Sequence, residues 1–287
     1  MTSLIFSVLL STLLFVIFKL FAKYNINVLQ AIVVNYIVAC VFGLILYPES
    51  YSISDIPARP WFMGAFLLGF LFISVFNIMA ATSQKNGLSV ASVAGKMSVV
   101  IPIIFGVIIY SEQLGIIKIA GIILALIAVY LVSVKEGGIH IKKNQLIYPV
   151  LLFLGSGIID TSLKYFETNY VGKNEIPLFS ATIFAFAAIA GIIILAYKVF
   201  VKNELITLKN ILGGICLGIF NYYSIYYLIK ALRSDSLNSA AVFTINNVAI
   251  VMLTTIVGIL LFREKLIPKN WVGIFIAVIS IVLVAFS

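Results

Sequence analysis

Apolar runs of close to twenty residues recur along the whole chain, and short polar connections separate them. The runs lie near 3–22, 27–47, 61–81, 88–110, 115–134, 146–166, 177–198, 209–230, 237–262 and 268–287. A membrane-spanning helix needs roughly 20 mainly apolar residues, so the pattern predicts ten transmembrane helices. The alternating ten-residue segments of a transmembrane barrel are absent, which leaves the other backbone solution available in lipid, an all-α integral membrane protein. The connections carry turn formers, as in YPESYSISDIPARP (Tyr47 to Pro60) and KEGGIHIKKNQ (Lys135 to Gln145), and no soluble domain fits between two runs. The first run has no positive charge ahead of it and is followed by lysines. It is expected to be a first transmembrane helix rather than a signal peptide.

The loop from Lys135 to Gln145 divides the chain near its middle, and the two sides resemble each other. After the fourth run stands SEQLGIIKIAG (Ser111 to Gly121), and after the ninth REKLIPKNWVG (Arg263 to Gly273). In each, a Glu-x-Leu is followed by a glycine nine residues after the glutamate: Glu112 with Gly121, and Glu264 with Gly273. A second anchor pairs GAFLLG (Gly64 to Gly69) with GGICLG (Gly213 to Gly218), and GLSVA (Gly87 to Ala91) with SLNSA (Ser236 to Ala240). The pattern predicts two five-helix repeats, residues 1–138 and 139–287. Because five is odd, the second repeat must enter the membrane from the opposite side, and inverted repeats are common in secondary transporters.

These duplicated ends (Glu112, Leu114, Gly121; Glu264, Leu266, Gly273) and the eighth run, GIFNYYSIYYLIKAL, resemble the ten-helix drug/metabolite transporter superfamily, in particular its EamA-type members. The resemblance covers the whole chain. It implies alternating access without ATP hydrolysis, with a cavity between the two halves, and says little about the solute.

Composition agrees with the pattern. Hydrophobic residues make up 63% of the 287 positions and charged ones 10%, with a mean hydropathy of +1.19, against about 25% charged in soluble domains. The net charge of +9 is dispersed in ones, twos and threes between the runs, a membrane-anchoring pattern rather than a nucleic-acid patch. Lys and Arg near the run ends number twelve on the side of the odd-numbered connections and six on the other. The positive-inside rule then places both termini outside the cytoplasm, whereas the family resemblance implies the reverse. Cys40 and Cys216 lie inside apolar runs without metal-type spacing, so neither a disulfide nor a metal site is indicated.

The candidate chemistry lies in polar residues that interrupt the runs. Lys96 sits nine residues into the fourth, where a central lysine costs about 2.5 to 3.5 kcal/mol on insertion scales. Ser89, Ser92 and Lys96 fall on one helical stripe, which is expected to face a central cavity. In the sixth run Ser156, Asp160, Lys164 and Glu167 share a face. Asp160 could pair with Lys164 along its own helix, reach Lys96 across the cavity, or exchange a proton during transport. The eighth run offers Asn221, Tyr222 and Tyr226; the ninth offers Asn246 and Asn247, with Thr244, Val251 and Thr254 on the face of Asn247. Paired amides in hydrocarbon line cavities or bond neighbouring helices. Asn35, Tyr36 and Asn77 are expected to join helices, Glu112 and Glu264 to cap or anchor run ends, and His140 to be solvated.

No Walker loop, nucleophile triad or metal cluster appears in the sequence. Catalysis and cofactors are therefore not expected. The expected function is secondary transport of a small polar or amphipathic metabolite such as an amino acid, in a bacterial inner membrane. Its substrate-binding residues would be Lys96, Ser92, Asn221, Tyr222, Tyr226, Asn246 and Asn247, and Asp160 would couple ions. The expected partners are the solute, the lipid bilayer and protons. The alternative is a membrane-embedded binding or scaffold protein that transports nothing.

Overall fold

The computed structural model describes residues 2–45, 53–102, 104–105, 115–133, 143–172, 175–232 and 239–285. These residues form α-helices, one 3-10 helix (Ile53–Ala58) and no strand. The α-helices are α1 (Thr2–Lys23), α2 (Val28–Ile45), α3 (Phe62–Lys85), α4 (Leu88–Met97), α5 (Ile116–Ser133), α6 (Lys143–Asn169), α7 (Ile176–Lys202), α8 (Leu208–Leu232), α9 (Ser239–Phe262) and α10 (Pro268–Ala285). Among the described residues seven of them, α1, α2, α3, α6, α7, α8 and α9, hold a stretch long and apolar enough to cross a membrane. Many large apolar side chains point outward, including Ile116, Ile193, Phe200 and Leu260. Such a surface suits lipid and not water.

Short turns end the helices where the sequence permits a left-handed residue. Asn203 closes α7 at φ 52°, with its N–H on the Lys198 carbonyl, and Arg263 takes φ 52° just after α9. Gly87 joins α3 to α4 at φ 113°, a conformation that side-chain-bearing residues rarely adopt.

The fourth run departs from its expected form. It is predicted as one continuous helix over 88–110, but α4 ends at Met97, a turn follows at Ser98 and Val99, and helix resumes at Val100. Pro102 supplies the reason. A continuous helix would direct the N–H of residue 102 to the Ser98 carbonyl, and proline has none. The Ile101 N–H takes that carbonyl instead at 2.9 Å, one residue tighter than α-helical spacing.

Small residues set the helix pairs. Asn35 and Val38 of α2 lie against Gly218 of α8, and Phe186 and Ala187 of α7 against Gly69 of α3. Gly218 and Gly69 end the two similar motifs. α5 packs along α10, where the Gly121 carbonyl accepts from Ser280 Oγ at 2.7 Å and Gly273 faces Val132. The glycines of both Glu-x-Leu…Gly segments thus meet the opposite segment's helix.

Candidate functional site

The site is built around the break in the fourth run. Lys96 is the last residue but one of α4, and Asp160 lies on α6, which packs against α4. Gly157 on α6 accommodates Ile101, so the two backbones approach closely beside the charges. The Lys96 ammonium and the Asp160 carboxylate act on each other electrostatically. Among the described residues, however, Lys96 has no hydrogen bond and no ion pair within 4 Å. Ser98 Oγ stands 3.5 Å from Asp160 Oδ2 and 2.6 Å from the Gly95 carbonyl. It has one proton, and the nearer carbonyl takes it. Asp160 keeps an exposed face, and a Cβ built on Gly95 would meet nothing within 4 Å. Lys96 and Asp160 thus interact without forming an ion pair with each other.

The serine stripe is placed differently from Lys96. Ser89 and Ser92 are completely buried, and the hydroxyls of Ser92 and Thr254 of α9 are 2.7 Å apart. Among the described residues Ser89 Oγ has no hydrogen-bond partner. Ser92 therefore joins α4 to α9, while Lys96, one turn on, is partly accessible. The side chains of Lys164, Glu167 and Thr244, and all of Glu112 and His140, lie outside the described residues, so the Asp160–Lys164 pairing and those end roles are not described here.

The amides form a seam through the apolar interior. Asn221 Nδ2 of α8 donates to Asn35 Oδ1 of α2 at 3.2 Å, and Ser224 Oγ donates to the Asn221 carbonyl at 2.8 Å. Ser7 Oγ of α1 lies 3.1 Å from both the Ser224 carbonyl and Asn246 Oδ1 of α9. One buried polar line therefore crosses α2, α8, α1 and α9. Asn35 bonds a neighbouring helix as expected, whereas Asn77 donates to its own helix at Ile73. Asn35 Nδ2 and the Tyr36 hydroxyl are buried without hydrogen-bond partners among the described residues. Asn247 is half-buried and, among the described residues, makes no hydrogen bond.

Tyr222 stacks on Phe42 of α2, with ring centroids 5.2 Å apart, and Tyr223, Tyr226, Tyr227 and Phe6 continue the aromatic group. Tyr226 is 41% exposed and Tyr222 half-buried. Sequence reasoning missed Ser7, Ser98 and Ser224. A lone serine in an apolar run gives no periodic signal, although Ser98 stands four residues before a proline, and that spacing marks a helix break.

Glu264 also takes a role beyond its own helix end. Its carboxylate accepts the Leu88 N–H of α4 at 2.8 Å and pairs with Lys19 of α1 at 3.3 Å. The α2–α3 and α6–α7 connections are tied by Glu175, which pairs with Arg59 at 2.6 Å and accepts from Trp61 Nε1 at 3.0 Å.

Comparison with known proteins agrees with this architecture. A family model described as "EamA-like transporter family" matches residues 1–134. An "Uncharacterized protein" of Haemophilus influenzae is 32% identical over 98% of this chain and 96% of its own length. Proteins of Listeria monocytogenes and Listeria innocua, each named "Putative sugar uptake protein", are 28% identical over 85% of this chain and 83% of theirs. A crystal structure of a protein 13% identical to this one shares the fold over 97% of both chains, with a TM-score of 0.57.

Proposed function

The chain belongs to the EamA-like transporter family of the drug/metabolite transporter superfamily, and from that premise we propose that it is a secondary transporter of a small polar or amphipathic metabolite. The proposed solute carries a carboxylate or phosphate and an apolar portion, as an amino acid does. One observation carries this reading: beside a helix break, a partly accessible Lys96 and an Asp160 with an exposed face act on each other without forming an ion pair with each other. An intramembrane charge left unlocked is a functional charge by default, and a broken helix at membrane depth is tolerated where it lines a cavity.

The mechanism is alternating access by ten spans in two oppositely inserted halves, residues 1–138 and 139–287. Two sets of contacts support that division. Glycines at corresponding positions of the halves each pack on a helix of the other: Gly69 on α7 and Gly218 on α2, Gly121 beside α10 and Gly273 on α5. An ion pair between the halves stands near each end of the bundle, Lys19 with Glu264 and Arg59 with Glu175. Opening the cavity toward one side requires the pair on that side to part.

In this scheme Lys96 attracts the anionic group, and Asp160 takes up and releases the coupling proton. Tyr222 and Tyr226 meet the apolar portion, Asn247 offers an amide that makes no hydrogen bond among the described residues, and the buried Asn221, Asn246 and Ser92 hold the surrounding helices. The names of the Listeria relatives support carrying sugars through the same tests. A neutral sugar would depend on the amides and rings more than on Lys96.

The test is counterflow into vesicles containing only this protein, with radiolabelled amino acids, sugar phosphates and neutral sugars. Saturable flux of an anionic or zwitterionic solute that Lys96→Met abolishes is the expected result. Flux of neutral sugars alone, unaffected by Lys96→Met, would overturn the solute assignment. No flux of any solute would leave a membrane-embedded binding or scaffold protein as the better reading.

A further inference from the structure

We propose that Glu264 is a positioning residue for transport: its carboxylate fixes the N-terminus of α4 and thereby sets where α4 presents Lys96. This rests on the reading of Lys96 as the solute's charge partner.

The first N–H groups of a helix need acceptors, and an anion suits that end of the helix dipole. α4 cannot supply its own. Its N-cap is Gly87, which has no side chain, and φ 113° there disfavours any residue that would have one. The acceptor comes instead from 176 positions away, Glu264 Oε1 at 2.8 Å from the Leu88 nitrogen. Two glycines make the room. A Cβ on Gly87 would lie 2.9 Å from both carboxylate oxygens, and one on Gly258 of α9 would lie 2.6 Å from Oε2. Lys19 of α1 pairs with the same Oε1 at 3.3 Å and reaches toward the Gln84 carbonyl at 3.5 Å. Three helices, α1, α4 and α9, therefore converge on one largely buried carboxylate.

The arrangement matters because α4 is short. It is held at Leu88 and interrupted at Ser98, with Lys96 about 12 Å along the axis from the cap by helical rise. A change of heading at the cap swings Lys96 and Gly95 together, while α6 and Asp160 stay behind. Glu264 thus links the last turn of α9 to the charge that faces the solute.

The test uses full-length protein with Cys40→Ala and Cys216→Ala, and a single Gly95→Cys where added side-chain atoms meet open space. The readout is the rate of N-ethylmaleimide labelling, with Val201→Cys, on the exposed end of α7, as control. Glu264→Ala is expected to change the Gly95→Cys rate severalfold and leave Val201→Cys unchanged. Glu264→Gln retains an acceptor for the Leu88 N–H and should keep close to the parent rate. Gly258→Ala, which crowds Oε2, should behave like Glu264→Ala and decides the matter if Glu264→Ala does not fold. A lowered melting temperature with an unchanged Gly95→Cys rate in both variants would overturn the proposal and make Glu264 a structural residue only. The labelling rate is independent of what the protein carries, so the two readings fail separately. Altered labelling in a protein that moves no solute keeps the positioning role and removes the transport reading. Unaltered labelling beside Lys96-dependent flux does the reverse.

Discussion

Ser7 and Asn246 stand 239 positions apart in the sequence, yet the Ser7 hydroxyl lies 3.1 Å from the Asn246 amide oxygen at a buried junction of α1 and α9. The same hydroxyl lies equally close to the Ser224 carbonyl of α8. Hydrogen bonds between membrane helices average about 0.6 kcal/mol and reach about 1.7, so no single link dominates. A double-mutant cycle with Ser7→Ala and Asn246→Leu, read by thermal unfolding in detergent, should give a coupling energy in that range. Additive losses would show that the two side chains do not hold α1 to α9.

Asn221 and Asn246 of this seam are visible in the sequence because amides are costly in hydrocarbon. Their partners are not. Ser7 and Ser224 look like any small residue in an apolar run, and only the fold brings α1 against α8 and α9. Seven of the predicted spans are legible for a related reason, since lipid imposes a length and an apolar character that the sequence must show directly. The break after Met97 falls inside a run whose apolar length predicts one helix, although Pro102 marks it. The stripe of Ser89, Ser92 and Lys96 was correct as helical geometry but combined two environments. The serines are buried, Ser92 against Thr254, and Lys96, in the last turn of the helix, is partly accessible. Periodicity gives the face of a residue and not what packs against it.

The charge bias predicts an orientation. Lys265 belongs to the side that carries twelve of the basic residues near run ends, and Ala58 to the side that carries six. Both positions are exposed. In cells expressing the cysteine-free protein, Lys265→Cys should resist an impermeant thiol reagent until the membrane is permeabilised, and Ala58→Cys should react at once. The opposite pattern would place the termini in the cytoplasm, as the family resemblance implies.

In the proposed scheme Asp160 is the coupling group. A carboxylate that can be neutralised between half-cycles lets the site change charge as it changes sides. Asp160→Asn should therefore weaken accumulation driven by a pH gradient by an order of magnitude or more, while exchange of solute at equal pH on both sides is retained. Equal loss of both activities would make Asp160 a structural partner rather than the coupling group.

The role of Lys96 separates from that of Asp160 in a second comparison. Removing one partner of a locked buried pair costs about 3 to 5 kcal/mol, because the other charge is stranded. Lys96 and Asp160 act on each other without such a lock, and Asp160 keeps an exposed face, so the penalty should be well below that. Lys96→Met keeps the length and apolar stem of the side chain and removes only the charge. The expected result is a melting temperature close to that of the parent, with binding of carboxylate or phosphate solutes lost and uncharged analogues affected far less. Lys96→Met combined with Asp160→Asn should then be no more stable than Lys96→Met alone. Stability lost in the single variant and regained in the double one would mean that Lys96 exists to neutralise Asp160, and the assignment of its charge to the solute would fall.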